Sequence, residues 1–260
     1  MEVLFDAHCH IGENAVFTET ALSREVLSRP ARGRLLCGLG TADWGAVRSA
    51  SSLWRGTVAA YGVHPWRAAE TTKDAAWLVD LEDLLTRDAA AWVGEIGLDG
   101  LRTREADEAV QEEAFRLQLR LAARLGRRVN LHCVKAWDAL VKLLDAEYAD
   151  YGGAAGGGGF IVHSFSGPFQ HMDLLADRGA YFSVGPPARK RSRAREERAK
   201  RLPLERVLLE SDAFLAPGVD AVEDVRNALE WLAEMRGMGA ASLAGIIQEN
   251  AGRLFADERR

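Results

Sequence analysis

The chain predicts a closed (β/α)8 TIM barrel, and three observations carry the prediction. Apolar, strand-like runs alternate with amphipathic helical stretches from end to end, with no linker between them. The 260 residues suit one such barrel, expected to fill 1–260 as a single domain. Five of the six histidines and two carboxylates fall in or just after the strand-like runs, where a barrel opens its mouth. A doubly wound open sheet is the competing fold. It gathers its site at one switch point, whereas these residues spread over strands one, four, five, six and eight.

In chain order, strands are expected at 2–8, 34–39, 57–63, 90–96, 128–132, 159–164, 180–184 and 206–211. Helices are expected near 19–29, 43–55, 74–88, 105–125, 135–150, 168–178, 188–201, 222–236 and 241–256. Within 105–125, Val110, Ala114, Leu117, Leu121 and Leu125 form a stripe at helical spacing, and Gly126 is the stop. The glycine-rich stretch 151–160 precedes a strand and is followed by no GK[ST]. It reads as a flexible connection on the bottom face and not as a phosphate loop.

Composition narrows the function. A net charge of −5 excludes a global field that attracts nucleic acid, so any polyanion contact must be local. Cys9, Cys37 and Cys133 show no CxxC spacing and read as reduced thiols in a cytoplasmic protein. No leader-like N-terminus and no apolar run of about 18 residues is present, so no membrane association is expected. Nothing marks an obligate protein partner.

The chemistry lies at the strand ends. His8 and His10 are two apart on a strand and share one face, while Cys9 points the other way into packing. Such a pair grips one divalent ion. Glu95, in GEIGLD at the end of strand four, can bridge two ions. His132 and His163 end strands five and six and can complete a second site. Asp212 ends strand eight, where it can bind the first ion and take a proton from bound water. His64, in GVHP, is assigned to substrate, as a contact to a phosphoryl oxygen. Trp66 is a candidate for stacking on a base. His171, inside a helix, reads as a surface histidine. HSFSG, including Ser166, leads into a helix whose first backbone N–H groups can hold an anion. The run 188–200 is the one dense basic segment and starts on the mouth side, where it can attract phosphodiesters.

These segments resemble the TatD family of metal-dependent deoxyribonucleases, in the amidohydrolase superfamily. DAHCH resembles its opening DxHxH. GVHP, GEIGLD, the LHC at His132, HSFSG and LLESDAF resemble its later blocks, in order. Gln111, Phe115, Gln118 and Ala122 match its helix before strand five, and ENAGRLF matches its ending, so the resemblance spans nearly the whole chain. It implies one metal on His8, His10, Glu95 and Asp212, and a second on Glu95, His132 and His163. The two divalent ions would be Zn, Mn or Mg, with Fe also suited to the histidines. The resemblance further implies Asp212 and Glu95 as the catalytic carboxylates, a metal-bridging water as the attacking group, and DNA or a small phosphodiester as the substrate. Departures fall in the substrate shell: Gly100 stands where the family has Tyr, Val134 and Lys135 where it has Arg, and the loop from Phe214 is short and apolar. Lys135 is therefore the candidate phosphate contact. Hydrolysis of an amide, lactone or ester at the same dinuclear site is the alternative, and a non-catalytic nucleic-acid-binding protein the second rival.

Overall fold

The structure, a computed structural model, describes residues 4–11, 33–148, 159–187, 192–215, 219 and 221–255. The helix expected at 19–29, most of the glycine-rich stretch and Arg189, Lys190 and Arg191 lie outside these residues.

Among the described residues, nine parallel strands form one sheet: β1 (Phe5–Ile11), β2 (Gly33–Cys37), β3 (Thr57–Tyr61), β4 (Trp92–Asp99), β5 (Val129–Val134), β6 (Phe160–Val162), β7 (Ala180–Val184), β8 (Val207–Leu209) and β9 (Phe214–Leu215). The first eight pair in sequence order. The ring closes across the β8–β1 seam. Ser211 N–H donates to Asp6 Oδ1 at 2.9 Å and Asp212 N–H to the His8 carbonyl at 3.0 Å. The chain then returns as β9, a strand not anticipated, pairing Phe214 with His10. Eight strands in a closed parallel ring, with helices between them, make the expected TIM barrel.

The helices are α1 (Trp44–Leu53), α2 (Ala76–Arg87), α3 (Glu108–Leu125), α4 (Trp137–Glu147), α5 (Phe169–Asp177), α6 (Arg193–Arg201), α7 (Ala221–Arg236) and α8 (Ala240–Leu254). Helix α3 starts three residues later than expected because the Asp107 side chain caps it, accepting from Val110 N–H at 2.9 Å. Helix α4 cannot begin at Lys135, whose φ of 57° is left-handed. The face α3 buries is also rotated from the expected stripe. Gln111, Ala114, Phe115, Gln118, Leu121 and Ala122 are buried, while Val110, Leu117 and Leu125 are only partly so. An apolar count cannot find a face that includes two glutamines. A 3-10 helix, Pro65–Thr72, fills a segment with no expected element.

Two apolar clusters divide the core. The larger packs strand residues such as Leu36, Ala59, Val93, Leu131 and Phe182 against the helices. The smaller gathers Phe5, Ala7, Leu35, Val58, Trp92, Ile161 and Leu208 inside the ring. Phe255 plugs its bottom, with its ring centroid 4.2 Å from that of Phe5 and 5.0 Å from that of Trp92. The upper inward positions are left for polar groups. No helix among the described residues is long and apolar enough to cross a membrane.

Candidate metal centre

Two bulges aim the central side chains. Between Asp6 and Cys9, β1 gains a residue relative to β2. Phe5 and Ala7 belong to the inner cluster and Cys9 to the outer one, so the extra residue lets His8 turn inward as well as Ala7, and His10 follows by alternation. In β4 the shift falls between Val93 and Ile96. Both of those side chains face the helices, which brings Glu95 inward between them. Glu95 therefore sits at the middle of a strand that runs on to Asp99, not at its end. Gly97 permits the tight β4–β5 approach: its φ is 147°, and a Cβ there would lie 1.9 Å from the His132 carbonyl oxygen. His132 and His163 follow plain strand alternation.

The Glu95 carboxylate is shared by two sets of imidazoles. Its Oε2 lies 3.4 Å from His8 Nε2 and 3.3 Å from His10 Nε2. Its Oε1 lies 2.8 Å from His132 Nδ1, 3.0 Å from His163 Nε2 and 3.4 Å from His64 Nε2. Asp212 Oδ1 stands at 3.9 and 3.8 Å from His8 and His10 Nε2. Three overlapping sets hold their donor atoms within 4.8 Å of one another: His8, Glu95 and His163; His8, His10 and Asp212; His64, Glu95 and His132. All six residues expected to bind metal thus lie in one cluster, and His64 joins it.

The outward faces of the imidazoles decide what the inward faces offer. His10 Nδ1–H donates to the Cys37 carbonyl at 3.0 Å, and His8 Nδ1–H to Asn130 Oδ1 at 2.9 Å. Both Nε2 lone pairs are then bare and face each other at 3.0 Å. His132 Nε2–H donates to Asp99 Oδ2 at 3.3 Å, which leaves its bare Nδ1 against Glu95 Oε1. His163 Nδ1 stands 3.5 Å from Glu210 Oε2, an ion-pair distance, and Glu210 is held in turn by the Ser183 hydroxyl. Lone pairs confronting carboxylate oxygens and one another repel unless a cation lies between them. The donor set therefore fits divalent metal, and imidazole nitrogens with carboxylate oxygens suit Zn, Mn or Fe.

Without such an ion, protons take its place. Burial opposes a charge on His163, but Glu95 and Glu210 hold its pKa well above the usual histidine range. His132 is also raised: burial works against it, and Asp99 and Glu95 outweigh that. Burial likewise opposes the Glu95 charge, yet His64, His163 and His8 hold its carboxyl well below the ordinary range. His64 differs. Burial lowers it to about 4, and its Nδ1 accepts from Trp66 N–H at 3.1 Å. It is a neutral imidazole with its proton on Nε2, facing the cluster.

Several partners were given no role at the site from the sequence. Asp99, Asn130 and Glu210 back the imidazoles, and Asp6 with Ser211 locks the seam behind His8. Gln118 brackets Val63, accepting from its N–H at 2.7 Å and donating to its carbonyl at 3.2 Å, just before His64. Gln111, two turns earlier on α3, does the same for Asp99, at 2.7 and 3.2 Å. A buried glutamine inside an otherwise apolar helical face was the available signal.

The expected substrate residues are spread around the mouth. Lys135 and Ser166 are exposed just beyond β5 and β6. Trp66 donates its indole N–H to Asp99 Oδ2 at 2.7 Å and carries the Arg102 guanidinium 4.9 Å from its ring centroid. In the described part of the basic run, Arg195 donates to the Gly185 carbonyl at 2.7 Å and lies over Trp231, and Arg201 lies over Phe169. These cations hold α6 against its neighbours. His171 is not a surface residue: it is buried and paired with Asp138 at 2.9 Å.

With the site in place, comparison with known proteins decides its kind. A family profile described as "TatD related DNase" matches residues 5–256. The chain belongs to the TatD family. Among TatD relatives, a Bacillus subtilis (strain 168) protein described as an uncharacterized metal-dependent hydrolase, YabD, is 29% identical over 265 residues, spanning 97% of this chain and 99% of that one. The 3'-5' ssDNA/RNA exonuclease TatD of Pantoea ananatis is 29% identical over 274 residues, spanning 94% and 98%. The crystal structure of YJJV, a TatD homolog from Escherichia coli K12, superposes with a TM-score of 0.80 at 26% identity, covering 97% of this chain and 98% of that one. TatD membership and the cluster together make this chain a metal-dependent hydrolase of the nuclease type.

Proposed function

We propose that the chain cleaves phosphodiester bonds in single-stranded nucleic acid, using two divalent ions. One would rest on His8, His10, Glu95 and Asp212, the other on Glu95, His132 and His163. The observation that carries this reading is the division of the Glu95 oxygens, Oε2 toward His8 and His10 and Oε1 toward His132 and His163. Ions held there supply Lewis acidity and an activated water. The single-strand preference is supported by the exonuclease named among the relatives.

The side chains divide the remaining work. Asp212, whose side chain is 32% exposed, reaches the cavity from the mouth, and its Oδ1 accepts the proton of the attacking water. The His64 Nε2–H donates to a phosphoryl oxygen and helps place it in line. Lys135 and Ser166 sit where the flanking phosphate would pass, one as a cation and one as a hydroxyl. Trp66 holds Asp99, and so His132, by its indole N–H. The buried free cysteines suit a reducing, cytoplasmic setting.

The test is hydrolysis of labelled single-stranded DNA, RNA and duplex DNA with Mg, Mn or Zn, beside a panel of lactones and amides. We expect metal-dependent cleavage of the single strands, abolished by chelation and restored by metal. Turnover confined to the carbonyl substrates would replace this reading with the amidohydrolase one.

A further inference from the structure

Among the described residues, the large exposed apolar side chains are Leu53, Trp66, Val79, Leu101, Phe214 and Val219. Leu53 and Val79 lie on α1 and α2. Trp66 and Leu101 follow β3 and β4, and Phe214 opens β9, on the mouth side. An acidic chain with exposed aromatic and aliphatic side chains beside its catalytic opening gains little from long-range attraction to phosphates. Its substrate must also offer flat apolar surface.

Phe214 is placed to meet that surface. Its ring stacks on His10, with centroids 4.8 Å apart and planes 26° from parallel, and it remains 44% exposed. It lies two residues past Asp212. The β9–β1 ladder fixes it, with Phe214 opposite His10, His10 N–H donating to the Ala213 carbonyl at 2.8 Å, and Leu215 buried beside it. Trp66, the aromatic on the opposite side, is already engaged by Asp99, by Arg102 over its ring and by His64 against its edge.

We infer that Phe214 is the platform on which the nucleobase adjoining the scissile phosphate stacks. The inference rests on the nuclease reading above and gives it a substrate-binding residue. A phosphate held at the His8, His10 and Asp212 end of the cluster brings its own nucleotide against the ring that covers His10. The platform needs no ordering on binding, because the sheet already holds it. It also selects single strands, since bases within a duplex are stacked on one another and cannot turn a face to it. Stacking is indifferent to base identity, so it gives affinity without sequence preference.

The test pairs two deletions, the ring and the base. Wild type, Phe214→Ala, Phe214→Leu and Phe214→Tyr are compared on a labelled single-stranded oligonucleotide and on one with an abasic site at the cleaved nucleotide. Both kcat/KM and binding by fluorescence anisotropy are read, and circular dichroism confirms the fold. Losing the base should cost wild type roughly 5- to 100-fold, and Phe214→Ala should cost about the same on the ordinary strand. The two losses should overlap, with the abasic site costing Phe214→Ala little more. Phe214→Tyr should restore the preference and Phe214→Leu should not. Losses that multiply, or a Phe214→Ala protein that handles the ordinary strand like wild type, overturn the proposal. Wild type inert on the ordinary strand overturns the nuclease reading, and the platform with it.

Discussion

The two halves of the cluster are built from the same side chains but braced differently. His8 and His10 rest their outer nitrogens on dipoles, the Asn130 amide oxygen and the Cys37 carbonyl. His132 and His163 rest theirs on charges, Asp99 and Glu210. A carboxylate behind an imidazole makes the inner nitrogen more basic, and a neutral dipole does so less. The pKa directions separate along that line only for the stacked pair, His8 and His163, because His10, also resting on a dipole, is raised against its burial by Glu95 and Asp212. His8 is lowered, by burial first and then by the neighbouring His163, while His163 is raised well above its usual range. On the two-ion proposal, charged bracing would make the His132–His163 half the tighter metal site. The partly exposed Asp212 would make the other half the one open to substrate and exchange.

Removing the shared ligand should break the comparison most severely. Glu95→Gln weakens both halves at once, so metal content measured by mass spectrometry should fall below two ions per chain. Turnover should drop by about 10³-fold or more, since Lewis acidity, water activation and substrate orientation all depend on the ions being held. Two tightly bound ions in that variant would remove Glu95 as the bridge.

Asp212→Asn comes next. It should keep the fold and the ion in the charge-braced half, and lose about 10²–10⁴-fold in kcat for the missing base. Unchanged kcat would free Asp212 of the proton.

The seam behind His8 yields a stability effect with a definite sign. Burial raises the Asp6 carboxyl to about 6, against the hydrogen bonds it receives from Ser211. Folding therefore favours its protonated form. That contribution is fully present below the unfolded value near 4 and is lost as pH rises through 6. Relative to Asp6→Asn, whose amide can keep the Ser211 contacts, wild type should lose up to about 3 kcal/mol across that window. Urea unfolding at pH 4, 5, 6 and 7 would show it, and parallel stability curves for the two proteins would refute it.

The smallest effect sharpens the comparison itself. Asp99→Asn should weaken metal binding in its half by roughly 10- to 100-fold, as loss of a carboxylate behind a histidine ligand does. Asn130→Ala, which removes only a dipole behind His8, should cost less. Equal losses in competition with a chelating dye would erase the distinction between the halves.

Much of this was legible in the sequence. The alternation of strand and helix and the positions of the eight barrel strands follow from local periodicity, and the six clustered residues stand out as polar residues near the ends of apolar runs, although Glu95 lies mid-strand. Those signals are local because a strand's inward face repeats every second residue. The bracing was not legible. Asp99 and Glu210 stand in the same motifs as Glu95 and Asp212, and only the barrel shows which imidazole each one faces.

What the sequence determined by itself, then, is the barrel, the mouth at its strand ends and the kind of ligand placed there. The tertiary structure decided the rest. It inserted one extra residue into β1 and one into β4, which turn His8 and Glu95 inward against simple alternation. It returned the chain as β9 to set Phe214 on His10. It also backed each imidazole with a partner from another strand or its end, 27 to 122 residues distant for His10, His132 and His8. The physical reason is common to all three. A bulge and a cross-strand contact depend on the register between two strands, and register is fixed only when the ring closes and every inward position finds its neighbours.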